Sequence, residues 1–239
     1  MAALLDKHYF MLRRLNSLLG IIPVGAFFVV HMLFNSRAGQ GPEQYQWVPD
    51  TLDQIPFLIV LEVFGILLPI LAHAVLGVWI STRADYHLPK ATRSWYGNAA
   101  FMLQRWTGIA LFALIAVHLF QTWWQHMCIK LGAASGQLTG HEAEYDIYGN
   151  MHALLSNPLW AAIYVLFVLI AAWHFGNGIY NFAFKYGLTT SAASQRWALG
   201  IGLGIGVVCL VLGLTSIWGL TLSDWARTWG AAGETIGLR

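Results

Sequence analysis

LWAAIYVLFVLIAAWHFGNGIYNFAF, residues 159–184, contains no Asp, Glu, Lys or Arg and carries a single histidine, His174. A helix needs about 20 mainly apolar residues to cross the hydrocarbon core of a bilayer, and this run is long enough to do so. The same test selects Leu15–Phe34, Pro56–Ile80, Asn98–Trp124 and Trp197–Leu220. Residues 1–239 therefore read as one transmembrane domain: an all-α membrane protein with five transmembrane helices.

Composition agrees. The chain is 57% hydrophobic and only 10% charged, against about a quarter charged in soluble domains. Twelve Trp, nine Tyr and thirteen Phe suit the aromatic belts found at the two membrane surfaces. A net charge of +2 gives no reason to expect a nucleic-acid partner. Cys128 and Cys209 form neither a Cys-x-x-Cys nor a Cys-x-x-Cys-His motif, which disfavours a covalent c-type haem, a zinc ribbon and a disulfide framework.

Arg13 and Arg14 ahead of an apolar run, with Ser36-Arg37-Ala38 behind it, resemble a signal peptide. The run is longer than an h-region of about 7–15 residues and contains His31, so it reads as a retained first span. Pro56 and Pro158 stand at the starts of the second and fourth spans, with Ser156 and Asn157 as caps. Pro23 and Pro69 fall inside spans and predict kinks. Lys7, Arg13, Arg14, Arg83, Lys90, Arg93, Arg105, Lys185 and Arg196 fall on one side of this arrangement, and Arg37, Lys130, Arg227 and Arg239 on the other. The positive-inside rule then puts the N-terminus in the cytoplasm and the C-terminus outside, in a cytoplasmic (inner) membrane.

Five histidines, His8, His87, His126, His141 and His152, lie in tails or connections and read as solvated or interfacial. His31, His73, His118 and His174 lie one in each of the first four spans. A lone intramembrane histidine is often only a hydrogen-bonding group between helices. Four of them sort by depth: His31 and His118 fall late in outward-running helices, whereas His73 and His174 follow Pro56 and Pro158 by 17 and 16 residues in inward-running ones. Two pairs at matched depth suit the axial demand of haem iron, one imidazole on each face of the macrocycle. The predicted bundle encloses two haems, with electrons passing along the membrane normal. Gly77 and Gly178 each follow their histidine by four, and Gly20 precedes His31 by eleven, so each shares a histidine's face.

Arg14, Arg105 and Lys185 at inner span ends are candidate partners for haem propionates, although membrane anchoring explains each as well. Lys185 lies about 16 Å beyond His174 on nearly the same face. Glu62, about 16 Å outward of His73, is the carboxylate deepest in a span and a candidate for proton exchange with a quinone. A protonated Glu62 joining two helices is the other reading.

Arg13-Arg14-Leu15-Asn16-Ser17-Leu18-Leu19-Gly20 leading to His31, His73-Ala74-Val75-Leu76-Gly77, Leu103-Gln104-Arg105 leading to His118, and His174-Phe175-Gly176-Asn177-Gly178 occur in that order. With these blocks the chain resembles the single-chain di-haem cytochrome b anchor of succinate:quinone oxidoreductases, which comprise succinate dehydrogenase and fumarate reductase. The resemblance implies two b haems, an outer one on His31 and His118 and an inner one on His73 and His174. It further implies menaquinone or another quinone as partner, and flavoprotein and iron–sulfur subunits docked on the cytoplasmic side. Succinate and fumarate would interconvert on the flavoprotein, and this chain would carry the electrons in the respiratory chain and tricarboxylic acid cycle. A higher oligomer of the complex is compatible with it. The connection 125–157 is longer than the family pattern and rich in Gly, His and acids; capping the outer haem, contacting a neighbouring protomer, or neither, are its open roles. Three rival readings stand beside this one: the di-haem anchor of another respiratory oxidoreductase, such as a formate dehydrogenase or hydrogenase; a proton-coupled transporter without haem; and a purely structural anchor that has lost cofactor binding, against which the presence of all four ligand positions argues.

Overall fold

The computed structural model describes residues 8–83, 95–138 and 145–228. Lys7, His87, Lys90, Arg93, His141 and Arg239 lie outside them. The described residues fold into helices, with no strand among them. Five helical stretches are long and apolar enough to cross a membrane: Tyr9–Gln40, Leu58–Thr82, Ala99–Ala134, Pro158–Lys185 and Ala192–Thr228.

Proline interrupts the first of these at Ile22, whose backbone stays helical (φ −73°, ψ −66°). Helix α1 (Tyr9–Ile21) stops and α2 (Pro23–Asn35) restarts with Pro23 at its first position, because the ring would collide with the carbonyl four residues back in a continuous helix. A 3-10 helix, Ser36–Gln40, follows, and α3 (Pro42–Leu52) lies between the first and second spans. The second span opens at Leu58, two residues later than expected. Pro56 stays in the preceding turn, and Phe57 takes the left-handed backbone (φ 58°), a strained conformation for a bulky residue. Ahead of Pro69 the helix widens into a π turn, Leu61–Leu67, before α4 (Leu68–Thr82). Bonding from residue i to i+5 lets a carbonyl reach past the position where proline offers no N–H.

Helix α5 (Trp95–Gln121) ends three residues before the expected boundary, is interrupted at Thr122, and continues as α6 (Trp123–Ala134). Much of the polar connection is thus helical, since α7 (Ile147–Leu155) occupies its other end. Asn157 caps α8 (Pro158–Lys185) by accepting from Leu159 N–H, whereas Ser156 is the C-cap of α7 and not a cap of the fourth span. Helix α9 (Ala192–Thr221) begins with a capping box between Ser191 and Ser194.

α1, α4, α5 and α8 pack in a ring, each against the next, and α9 lies outside the ring against α8 and α2. Glycine sets the α8–α9 separation: a Cβ at Gly206 would lie 2.7 Å from the carbonyl oxygen of Ala172, and one at Gly176 2.7 Å from that of Gly202. The best-packed region lies at one end of the bundle. There Ala38, Tyr45, Tyr148, Met151, Leu155, Tyr164 and Leu220 form a buried cluster drawn from the 3-10 helix, α3, α7, α8 and α9.

Candidate functional site

The four helices of the ring and its continuation α2 carry the four intramembrane histidines, and the fold sets them in two facing pairs. The ring centroids of His31 and His118 are 5.8 Å apart, and those of His73 and His174 are 6.4 Å apart. Imidazole nitrogens bind a metal at about 2 Å, so two rings on opposite sides of one iron have centroids about 6 Å apart. The ring planes are nearly perpendicular, at 77° and 84°. Among the described residues no group of three or more His, Cys, Asp or Glu could hold a metal ion. Haem iron asks for only two, because the macrocycle supplies the other four ligands.

The hydrogen bonds on the far side of the rings decide which nitrogen is available. His73 Nδ1 lies 2.8 Å from the carbonyl oxygen of Asn16, which can only accept. His174 Nδ1 lies 2.9 Å from Thr107 Oγ1, whose own proton goes to the Leu103 carbonyl at 2.7 Å. His118 Nδ1 lies 3.2 Å from the Tyr164 hydroxyl, which donates to Gln121 Oε1 at 2.9 Å. His73 must therefore donate from Nδ1, and with the hydroxyl protons of Thr107 and Tyr164 directed to Leu103 and Gln121 the same tautomer suits His174 and His118; Nε2 then keeps its lone pair for a metal. Metal-ligating histidines characteristically donate their other N–H in this way.

Small residues complete the inner pair. A Cβ at Gly20 would collide with Cε1 of His73 and lie 2.9 Å from its Nδ1, so this glycine serves His73 across the helix interface and not His31 on its own face, as its spacing suggested. A Cβ at Gly108 would lie 3.1 Å from Cε1 of His174. At Gly77 the nearest atom to an added Cβ would be Asn16 Oδ1, at 3.9 Å, and at Gly178 the nearest would be Gln104 Nε2 and Ile21 Cδ1, also at 3.9 Å. At both positions an added Cβ would make only ordinary van der Waals contact. Asn16 Oδ1 is buried without a hydrogen-bond partner, and rotating that amide would turn its N–H groups towards an acceptor such as a propionate. Geometry, donor set and the unpartnered amide all fit haem.

Arg14 and Lys185 come to the same end of the bundle. The Tyr186 hydroxyl, next to Lys185, donates to the Arg14 carbonyl at 3.0 Å, and the Arg14 guanidinium lies 4.5 Å from the Tyr186 ring. Arg105 sits on α5 two residues before Thr107, with its guanidinium 3.9 Å from the Phe101 ring. Gln104 donates to the His174 carbonyl at 3.1 Å and accepts from Asn177 at 2.5 Å, which joins two of the sequence blocks. Glu62 lies in the π turn and accepts from Trp123 Nε1 at 3.1 Å. The bond ties the second span to α6, and it requires no proton on Glu62 because the indole is the donor.

Two of the histidines read as solvated or interfacial make specific contacts. His126 faces Asp53 at 3.4 Å and stacks on Tyr145, with centroids 4.4 Å apart; His152 donates to the Leu220 carbonyl at 2.8 Å. Asn16, Gly108, Thr107 and Tyr164 are the site residues that spacing did not single out. Their roles depend on which helices abut.

A family model described as the succinate dehydrogenase/fumarate reductase transmembrane subunit matches residues 86–215. The chain is 35% identical, over 209 residues, to the succinate dehydrogenase cytochrome b558 subunit of Bacillus subtilis (strain 168), a match that takes in 87% of this chain and 96% of that protein. No solved structure matches it. With a family model over more than half of its length and a relative of this identity over most of it, the chain belongs to the succinate dehydrogenase/fumarate reductase transmembrane subunits.

Proposed function

We propose that this chain is a cytochrome b subunit that holds two b haems, the outer on His31 and His118 and the inner on His73 and His174, and carries electrons between an iron–sulfur subunit and membrane quinone. The observation that carries the reading is the two histidine couples at iron-sharing separation, with Nδ1 of His73, His174 and His118 already engaged in hydrogen bonds. The relative's name, a cytochrome b558 subunit, supports it. Bound there, the haems supply reversible one-electron transfer. The protein's work is to hold each pair of rings on opposite sides of an iron, bury the site and supply donors for the propionates, for which Arg14, Arg105, Lys185 and Asn16 are the candidates. Residues 1–239 act as one membrane domain, multi-pass in the cytoplasmic membrane with the N-terminus inside. Succinate and fumarate chemistry belongs to a partner flavoprotein subunit. Menaquinone or another quinone takes two electrons and two protons, and Glu62 is placed to exchange protons with it, in a π turn of the kind often found at functional sites.

The test is to tag the chain, purify it from membranes with the subunits that accompany it, and add succinate without oxygen. Reduction of the b haems by succinate and their reoxidation by a soluble naphthoquinone support the proposal. A preparation that contains haem but is reduced only by dithionite overturns it.

A further inference from the structure

The cap at the end of the bundle is more than a lid, because it reaches both members of one histidine pair. On one side the Tyr45 hydroxyl, from α3, donates to Asn35 Oδ1 at 2.8 Å, and Asn35 Nδ2 donates to the carbonyl of His31 at 2.8 Å. On the other, Tyr164 belongs to the cap's buried cluster and accepts from His118. Tyr45 and Tyr148 meet edge to face at 6.3 Å, and Tyr148 donates to the Gly219 carbonyl at 3.1 Å. Gln46 closes the assembly by donating to the Tyr145 carbonyl at 2.9 Å and accepting from Ile147 N–H at 3.0 Å, which pins the start of α7 to α3. Tyr45 and Tyr148 are 3% and 1% exposed, so these contacts are packed rather than incidental.

We propose that this cap, which includes the end of the long 125–157 connection, is the positioning device of the outer haem. It acts on His118 through Tyr164 and on the helical turn of His31 through Tyr45 and Asn35. The inference rests on the two-haem reading above. Its chemical content lies in the acceptor opposite Nδ1 of His118, set against those of the inner histidines. A stronger acceptor gives the imidazole more imidazolate character and favours ferric iron. The inner histidines donate to a peptide carbonyl and to a threonine hydroxyl, at 2.8 and 2.9 Å, whereas His118 donates over a longer 3.2 Å to a phenol. The phenol oxygen accepts as well as it does because its own proton is drawn off to Gln121. Tyr164 and Gln121 are positioning residues, and removing the phenol oxygen should raise the potential of the outer haem alone.

The experiment is a redox titration of the b haems in membranes containing the full chain, with Tyr164→Phe, Gln121→Leu and Thr107→Val. EPR of the oxidised haems is recorded alongside, since it reads the angle between axial imidazole planes. Tyr164→Phe keeps the ring and should raise the reduced-to-oxidised ratio of one component about threefold, equivalent to roughly 30 mV for one electron. Gln121→Leu should move the same component in the same direction by less, and Thr107→Val should move the other component. That crossed pattern, with full haem content, supports the proposal. Two components that neither Tyr164→Phe nor Gln121→Leu displaces overturn it, as does an equal shift of both. Where Tyr164→Phe fails to accumulate, Gln121→Leu alone decides by the same criterion. A single component that shifts with Tyr164→Phe supports the cap's role while removing the two-haem reading. A single component that depends on His73 and His174 overturns both.

Discussion

Replacing Gly20 by alanine adds one methyl group where the structure has no room for it. The new Cβ would collide with Cε1 of His73 and lie 2.9 and 3.2 Å from its two ring nitrogens. A flexible side chain could swing away, but this ring is held by its bond to the Asn16 carbonyl at 2.8 Å, on the same helix as Gly20. Either the ring leaves its place opposite His174 or α1 and α4 separate, and overpacking of this kind costs about 1–3 kcal/mol. Expressed as an equilibrium that is about 5- to 150-fold, charged to whatever state requires His73 in place. The assay is capture of haem by excess apomyoglobin, followed spectrally with a redox titration in parallel. The inner component should be lost 5- to 150-fold faster than in the unaltered protein, with the outer component retained. Gly200→Ala is the control, because a Cβ there meets nothing within 4 Å. Equal haem loss from both components, or no change from the unaltered protein, would refute the reasoning that Gly20 exists to seat His73.

Further outcomes follow from the same geometry. Glu62→Gln keeps an oxygen for the Trp123 N–H but removes the ionisable group, so quinone-linked turnover should fall by about a hundredfold, the low end of a general acid–base contribution, while haem spectra stay unchanged; unaltered turnover would remove Glu62 from proton exchange. Gly219→Ala would drive a Cβ into the Ala38 carbonyl where the 3-10 helix crosses α9. It should lower the thermal midpoint of the detergent-solubilised protein by several degrees through overpacking of about 1–3 kcal/mol, and an unchanged midpoint would show that the cap can yield. Asn157→Ala removes the acceptor for Leu159 N–H and should cost about 0.5–2 kcal/mol, read as earlier proteolysis or unfolding at the start of α8.

Much of this architecture was legible in the chain because lipid makes a simple demand. A run such as 159–184 with no charged residue has one stable form in a bilayer, a helix with all its backbone bonds internal. The pairing of histidines by depth was legible for the same reason: alternating spans of fixed rise convert sequence position into height. Other features depend on neighbours that spacing does not name. Gly20 was placed on His31's face by counting along one helix, whereas its packing partner is His73 on another. Thr107 and Tyr164 look like ordinary polar residues in spans until α8 is set beside α5. The cap helices α3 and α7 are too short and too polar for a hydropathy reading, and they form because Tyr45, Tyr148 and Leu155 bury against the ends of α8 and α9. The π turn before Pro69 is a local answer to a missing N–H that the sequence announces only as a kink.

The most direct test of the central claim is haem quantification by pyridine haemochrome, per chain, on the unaltered protein and on the alanine variants of the four histidines, together with reduced-minus-oxidised spectra. Two b haems per chain are expected, with His31→Ala and His118→Ala removing one spectral component and His73→Ala and His174→Ala removing the other. No haem, or losses that group the histidines in any other way, would contradict that claim.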